Sequence, residues 1–335
     1  MAESHRVHAP GRVNLIGDHT DYTGGLVFPM AIDRGTTIDY VRGGTRVVLR
    51  SDAEPGTVTI ELPVRDDPSV VEPAWGRYVA AMAREFAAAR GLSGTVTSDI
   101  PAGAGLSSSA ALECAVGLAL GFEGSPTELA LAAQRAEHAA TGVPTGIMDQ
   151  LCIAAATAGN ATLIDCHRLA VTNVPIPDDV DVTVVFVAHR TLVGSAYADR
   201  VAECDRAESV LGPLRLIEPA DLEAARPELD ELAFRRARHV VTENQRVRDF
   251  ATALATDDHA HAGALMTDSH RSLRTDFDTS TQEMDTAVER LTTTPGVFGA
   301  RMTGGGFGGC VVAISEPGAV DVGWRVRPSP GARHL

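Results

Sequence analysis

"PAGAGLSSSAALECAVGLALGF", residues 101–122, decides how this chain folds. It follows "TVTSDI", a β-branched stretch that reads as a strand, and passes from a glycine-rich turn through three serines into an apolar helical run. Gly103 and Gly105 let the backbone come close to a ligand, and Ser107, Ser108 and Ser109 fall where the helix begins. The first N–H groups of a helix are unpaired, and its N-terminus carries partial positive charge. Turn and helix together therefore make a phosphate cradle. A serine hydroxyl at that point also reaches a phosphate-bound Mg2+. A tight turn with serine N-caps has the same pattern. A dinucleotide fingerprint fits poorly: the third glycine is absent, and the first acid in range, Glu123, follows a helix and not a second strand.

Around this stretch the chain reads as strands and helices in alternation, an α/β (α+β) protein. "TTIDYVRG", "TRVVLRS" and "TVTIELP" read as strands, and residues 74–90 as a helix stopped by Gly91. Helices are expected near 126–140 and 145–157, and a strand at "ATLIDC". "VTNVPIPDDVD", residues 171–181, has two prolines and three acids and is taken as the domain boundary, giving domains 1–178 and 179–335. Beyond it come a buried strand, "VTVVFVAH", and a helical region over 197–291 broken near Pro213, Pro219 and Pro227. A strand-loop-strand, "GARMTGGGFGGCVVAIS", and a Pro/Gly-rich tail close the chain.

Composition narrows the chemistry. The chain has 335 residues, 44% hydrophobic and 4% aromatic, so aliphatics and alanine must fill the core. Net charge is −15, which argues against nucleic-acid and anionic-membrane surfaces. All 29 basic residues are arginine. The absence of lysine excludes a P-loop, a protein-kinase strand lysine and a Schiff base. Five single cysteines without a C-x-x-C predict reduced, buried thiols. "MAESHRVHAP" has no apolar h-region, and no apolar run reaches about 18 residues, so a cytoplasmic protein without a spanning helix is expected.

Three more stretches carry functional groups. "GRVNLIGDHTDYTGG", residues 11–25, places Arg12, Asn14, Asp18, His19 and Asp21 within ten positions, a crowd that a solvated loop rarely needs. "AEHAATGVPTGIMDQL", residues 136–151, holds Glu137 and sets Asp149 in nearly uncharged surroundings. A carboxylate there costs stability unless paired; Arg12 is the candidate partner, and a paired, partly desolvated Asp suits a base or an anchor for an attacking hydroxyl. A structural, helix-capping Asp is the other reading. "TGGGFGGC", residues 303–310, follows Arg301 and is either a site of close backbone approach to a ligand or a tight hairpin.

In this order, the stretches at 11–25, 101–112 and 302–313 resemble the signature motifs of the GHMP small-molecule kinases, and within them of the galactokinase family; "RARHVVTENQRV" (236–247) and "MTDSHRSLRTDFDTSTQEMD" (266–285) resemble it too. The resemblance covers about residues 6–315. It implies a two-domain GHMP kinase fold, an N-terminal ribosomal-S5-domain-2-like domain and a C-terminal α/β domain, with the active site in the cleft between them. It implies ATP and Mg2+, transfer of a phosphoryl group to the anomeric hydroxyl of galactose, and a monomer with a sugar and ATP as its partners. Asp149 matches the catalytic Asp and Arg12 the arginine paired with it. Ser109 and Glu137 match the Mg2+ ligands; Gly103, Gly105, Ser107, Ser108 and Ser109 match the ATP loop. Asp18, His19, Asp21 and Tyr197 match sugar-binding residues, Asp21 serving two adjacent hydroxyls. At residue 18 the family usually has Glu, reaching the sugar's sixth-carbon hydroxyl, and its members usually carry a longer lead-in; both departures raise a different sugar as the alternative substrate. A galactose- and ATP-binding sensor without turnover is the alternative from another class.

Overall fold

The computed structural model describes residues 3–101, 103–189 and 196–335. Its first half is built from β1 (Ser4–Asn14), β2 (Leu26–Val27), β3 (Pro29–Arg42), β4 (Arg46–Ser51), β5 (Thr57–Glu61), α1 (Gly76–Glu85), β6 (Leu92–Ser98), α2 (Ser108–Ala119), α3 (Pro126–Thr141), α4 (Met148–Ala155), β7 (Asn160–Asp165) and β8 (Ala170–Pro175). The second half adds β9 (Asp181–Ala188), α5 (Tyr197–Leu211), α6 (Pro219–Ala224), α7 (Glu231–Ala255), α8 (His259–Thr275), α9 (Gln282–Thr292), β10 (Val297–Thr303), β11 (Gly309–Ser315), β12 (Trp324–Val326) and β13 (Arg333–His334). The strands form three sheets, ordered β13-β1-β3-β6-β4-β5, β10-β11-β9-β12 and β2-β7-β8. Only β4 and β6 pair in parallel among the described strands.

α2 explains much of the first half. Ala110 through Ala119 are all buried, so it is a central helix without a solvent face. It packs on β1 and β3 with α1, α3 and α4 around it. Small side chains make this possible: Ala80, Ala110, Ala111, Ala115, Ala130, Ala133 and Ala136 are at most 1% exposed. Alanine and aliphatics fill the core as the composition requires. A second apolar cluster joins Phe234, Val240, Phe277 and Met302, where α8 and α9 cover the β10–β11 sheet and α7 packs on α8. All five cysteines are buried thiols.

Several sequence boundaries shift. The helix expected over 74–90 stops at Glu85, because Phe86 leaves helical geometry and Ala87 takes φ +44°. The helix expected from 145 begins at Met148. Residues 171–175 of the stretch read as a boundary belong to β8, which pairs along its length with β7. The Pro/Gly-rich tail supplies two short strands, β12 beside β9 and β13 beside β1.

One irregularity positions the site. The β1–β3 register shifts between Pro10 and Arg12. There the Arg12 N–H leaves the ladder and donates to the Leu106 carbonyl at 3.1 Å. A Cβ on Gly11 would lie 2.7 Å from that same oxygen, so only glycine lets the serine-rich loop dock on the strand.

Candidate active site

The bulge aims Arg12 along the end of α4. Its guanidinium, 2% exposed, grips Asp149 in a two-pronged pair: Nε to Oδ1 at 2.7 Å and Nη2 to Oδ2 at 2.8 Å. Nη1 donates to the Gly105 carbonyl at 2.8 Å. The Ser107 hydroxyl donates to Asp149 Oδ2 as well. So Ser107, although it stands at the N-cap of α2 with φ +61°, does not cap the helix. The N–H groups of the first turn keep no side-chain cap, and the helix end stays available to an anion. Asp149 itself remains 29% exposed, with a carboxylate edge on the cleft.

At the second residue of α2, the Ser109 hydroxyl donates to Glu137 Oε1 at 2.9 Å. Gln150 Nε2 donates to Glu137 Oε2 at 2.5 Å, and Thr145 Oγ1 at 3.4 Å. Burial and the neighbouring Asp149 raise the Glu137 pKa; no arginine pairs with it among the described ion pairs. Ser109 and Glu137 could hold a cation, since the buried carboxylate is served by hydroxyls and an amide. Oxygen ligands of this kind, too few to enclose an ion, suit Mg2+ that completes its shell with phosphate and water.

The residues of the 18–21 turn close the cleft from the other side. Asp18, 1% exposed, is bound by Arg301 Nη1 at 2.6 Å and by the Gly304 N–H at 3.0 Å. Arg301, wholly buried, also lies 3.9 Å from Glu243. His19 takes φ +64°; its Nδ1 lies 3.1 Å from the Tyr22 hydroxyl, and its ring packs 4.7 Å from Phe277 and 5.4 Å from Tyr197. Asp21 leans on the backbone at Gly146, where a Cβ would come 1.9 Å from its Oδ2. Burial first, then the charge of Asp149, pushes its pKa to about 7. Arg12, Asp18, His19, Asp21, Glu137, Asp149 and Tyr197 all line one cleft, with Gly304 and Gly305 of the β10–β11 hairpin as its lip.

The serine loop faces a second cavity, of about 210 Å³. Ser108, Ser109, Trp75, Tyr78, Thr36 and Ser98 are among its walls. Gly103 and Gly105, at φ +69° and +74°, form the turn that brings the loop there, and Gly103 sits at its exposed rim. The Ser109–Glu137 hydrogen bond joins the two spaces, since Ser109 lines the second and Glu137 the first. Sequence reasoning missed Trp75 and Tyr78. Their signal was faint: one of two tryptophans, three residues before a tyrosine, at a helix start in an aromatic-poor chain. It also missed Gln150, next to Asp149.

Residues 76–159 match the GHMP kinase N-terminal domain and 250–325 the GHMP kinase C-terminal domain. Fold and site thus define a small-molecule kinase of the GHMP class. Residues 2–40 match the galactokinase galactose-binding signature. Bovine (Bos taurus) galactokinase is 43% identical over 330 residues, covering 93% of this chain and 84% of its own; Chloroflexus aggregans galactokinase is 42% identical with the same coverage. The crystal structure of Lactococcus lactis galactokinase complexed with galactose superposes with a TM-score of 0.91 at 30% identity, covering 99% of this chain and 95% of that one. The chain belongs to the galactokinase family.

Proposed function

We propose that the protein transfers the γ-phosphoryl group of ATP to the anomeric hydroxyl of galactose, giving galactose 1-phosphate, ADP and a proton. The junction of the two cavities at Ser109–Glu137 carries this reading. It sets the cavity of about 210 Å³ against a cleft crowded with hydrogen-bonding groups, with the open end of α2 between them.

In this account Asp149 receives the anomeric hydroxyl. Two of its lone-pair directions are taken by Arg12 and one by Ser107, which leaves its exposed edge to accept from the sugar. Arg12 fixes the carboxylate and supplies positive charge beside the transferred group. Asp21, His19, Asp18 and Tyr197 hold the other hydroxyls. A site built on matched hydroxyls rejects an analogue that leaves a buried group unpaired. The N–H groups at Ser107–Ser109 cradle the phosphates, behind the Gly103–Gly105 turn, and Trp75 and Tyr78 take the base. Ser109 and Glu137 would hold Mg2+, which neutralises phosphate charge when bound. Phosphoryl transfer depends mainly on such positioning and neutralisation, so a lysine is dispensable.

The division at 178/179 is part of the same proposal, since β9 opens the second sheet at Asp181. Five buried thiols support a cytoplasmic protein. No helix among the described residues is long and apolar enough to cross a membrane. Light scattering after size exclusion tests the proposed monomer.

The deciding experiment mixes purified protein with Mg2+-ATP and a panel of galactose, glucose, galactosamine, fucose and arabinose, with 31P NMR of the product. A sugar 1-phosphate from galactose and little from glucose is expected. Turnover of another sugar but not galactose would move the substrate assignment to Asp18. Binding of both ligands without product would make the protein a sensor.

A further inference from the structure

Helix α7 contains "RARHVVTENQRV", a stretch whose chemistry the phosphotransfer account leaves unused. Three of its side chains reach the backbone of the signature loop. His239 Nε2 lies 3.1 Å from the Asp18 carbonyl. Glu243 Oε1 accepts from the Gly17 N–H at 2.9 Å. Asn244 Oδ1 accepts from the Leu26 N–H at 2.7 Å. Positions 239, 243 and 244 share one helix face, and all three side chains are at most 4% exposed.

Chemistry fixes the roles. A carbonyl only accepts, so His239 Nε2 carries the hydrogen; Nδ1 lies 2.9 Å from Ser272 Oγ, whose hydroxyl also reaches Asp276 Oδ2 at 3.2 Å. Burial lowers the His239 pKa to about 4, so the ring is neutral near pH 7. Burial alone would raise Glu243, but Arg246, His239 and Arg301 hold it at about 2, a charged acceptor. The bonds bracket an unfavourable backbone: Gly17 at φ +93° and His19 at φ +64° flank Asp18. A non-glycine residue holds that conformation only where its surroundings impose it. Contact is close along the loop, since a Cβ on Gly25 would stand 2.5 Å from Asn244 Oδ1.

We propose that His239, Glu243 and Asn244 form a backbone template that locks the 17–26 loop in its sugar-binding shape before the sugar arrives, so that α7 sets sugar affinity without touching the sugar. The template rests on residues 12–21 being the sugar site. It makes these three positioning residues and separates them from nucleotide binding, because none of them lines the Trp75 cavity.

Two measurements on the full chain test it. The first is hydrogen–deuterium exchange of peptides covering 15–27 in the wild-type protein, with and without galactose. The template expects exchange at Gly17 and Leu26 as slow as in the middle of α7 before sugar is added, changing less than about threefold on addition. Fast exchange that slows only with galactose would overturn it. This readout needs no turnover, so it stands even if galactose proves not to be the substrate. The second is steady-state kinetics of His239→Leu and His239→Gln. His239→Leu should raise KM for galactose by about tenfold or more while leaving KM for ATP within about twofold, and His239→Gln, whose amide also donates, should recover most of the loss. Equal changes in both KM values, or no rescue by Gln, would show a merely structural histidine. If His239→Leu fails to fold, the exchange measurement still decides.

Discussion

Gly146 bears no functional group, yet its substitution by alanine probes the sugar site sharply. The backbone there is not in the left-handed region, so alanine meets no conformational barrier. All of the penalty comes from Asp21: the new Cβ would lie 1.9 Å from Oδ2 and 2.2 Å from Cγ. Real contacts of this kind begin near 3.0 Å, so the carboxylate must retreat by at least 3.0 − 1.9 = 1.1 Å. A sugar hydroxyl bonded at about 2.8 Å would then sit about 3.9 Å away, outside hydrogen-bonding range. Each bond to a charged acceptor is worth about 1.5–3 kcal/mol, roughly ten- to a hundredfold in binding. Gly146→Ala should therefore raise KM for galactose by about tenfold if one of the two bonds survives, and by a hundredfold or more if neither does. KM for ATP should stay put, because Gly146 is not on the Trp75 cavity. Steady-state kinetics with each substrate varied is the assay, with thermal melting to verify folding. In an Asp21→Ala background the nearest remaining atom is the Cβ at 2.8 Å, and most of the added cost should vanish. A folded Gly146→Ala protein with galactose KM within about twofold of wild type would refute the placement of Asp21 on the sugar.

Three other expectations follow from the same geometry. Because Asp21 titrates near 7 in the fold, against 3.8 for a free carboxyl, KM for galactose should fall between about pH 6 and pH 8 as the better, charged acceptor forms. Stability of the sugar-free protein should run oppositely: the folded state binds the extra proton between the two values, so Tm declines as pH rises through that window. Asp21→Asn should flatten both profiles, and persistence of either in that variant would assign it elsewhere. Trp75→Ala should raise KM for ATP by about tenfold with galactose KM unchanged, the mirror image of Gly146→Ala; equal effects on both substrates would remove Trp75 from the nucleotide site. Arg301→Met leaves Asp18 and Glu243 buried without their shared cation, and a loss of about 3–5 kcal/mol is expected in urea unfolding; a loss under about 1 kcal/mol would mean the knot is not needed for the fold.

Much of the site was legible because its chemistry is local in sequence. Arg12 through Asp21, and the glycines and serines of 103–109, fall in short runs whose polar density contrasts with the apolar chain around them. Asp149 stood out for the same reason, alone among apolar neighbours, and Arg12 was the partner its charge demanded. What was hidden depends on distant residues meeting. Nothing near Asp18 announces Arg301, which lies 283 positions away, and the left-handed turn at His19 has no local cause; its causes are on α7. In the fold, long apolar helices and alternating strands were readable. β8 was not, because its "TNVP" carries boundary-like residues while its edge position demands little apolar pattern. β12 and β13 are too short for a periodic signal.

Asp149→Ala removes the group on which phosphotransfer turns; galactose and ATP binding are followed by calorimetry and product by ADP release. Both ligands should bind within about tenfold of wild type and turnover should fall by at least about a thousandfold, since the group that receives the anomeric hydroxyl is gone while the sugar and nucleotide contacts remain. A folded Asp149→Ala protein that still phosphorylates galactose at a tenth of the wild-type rate or more would contradict that role.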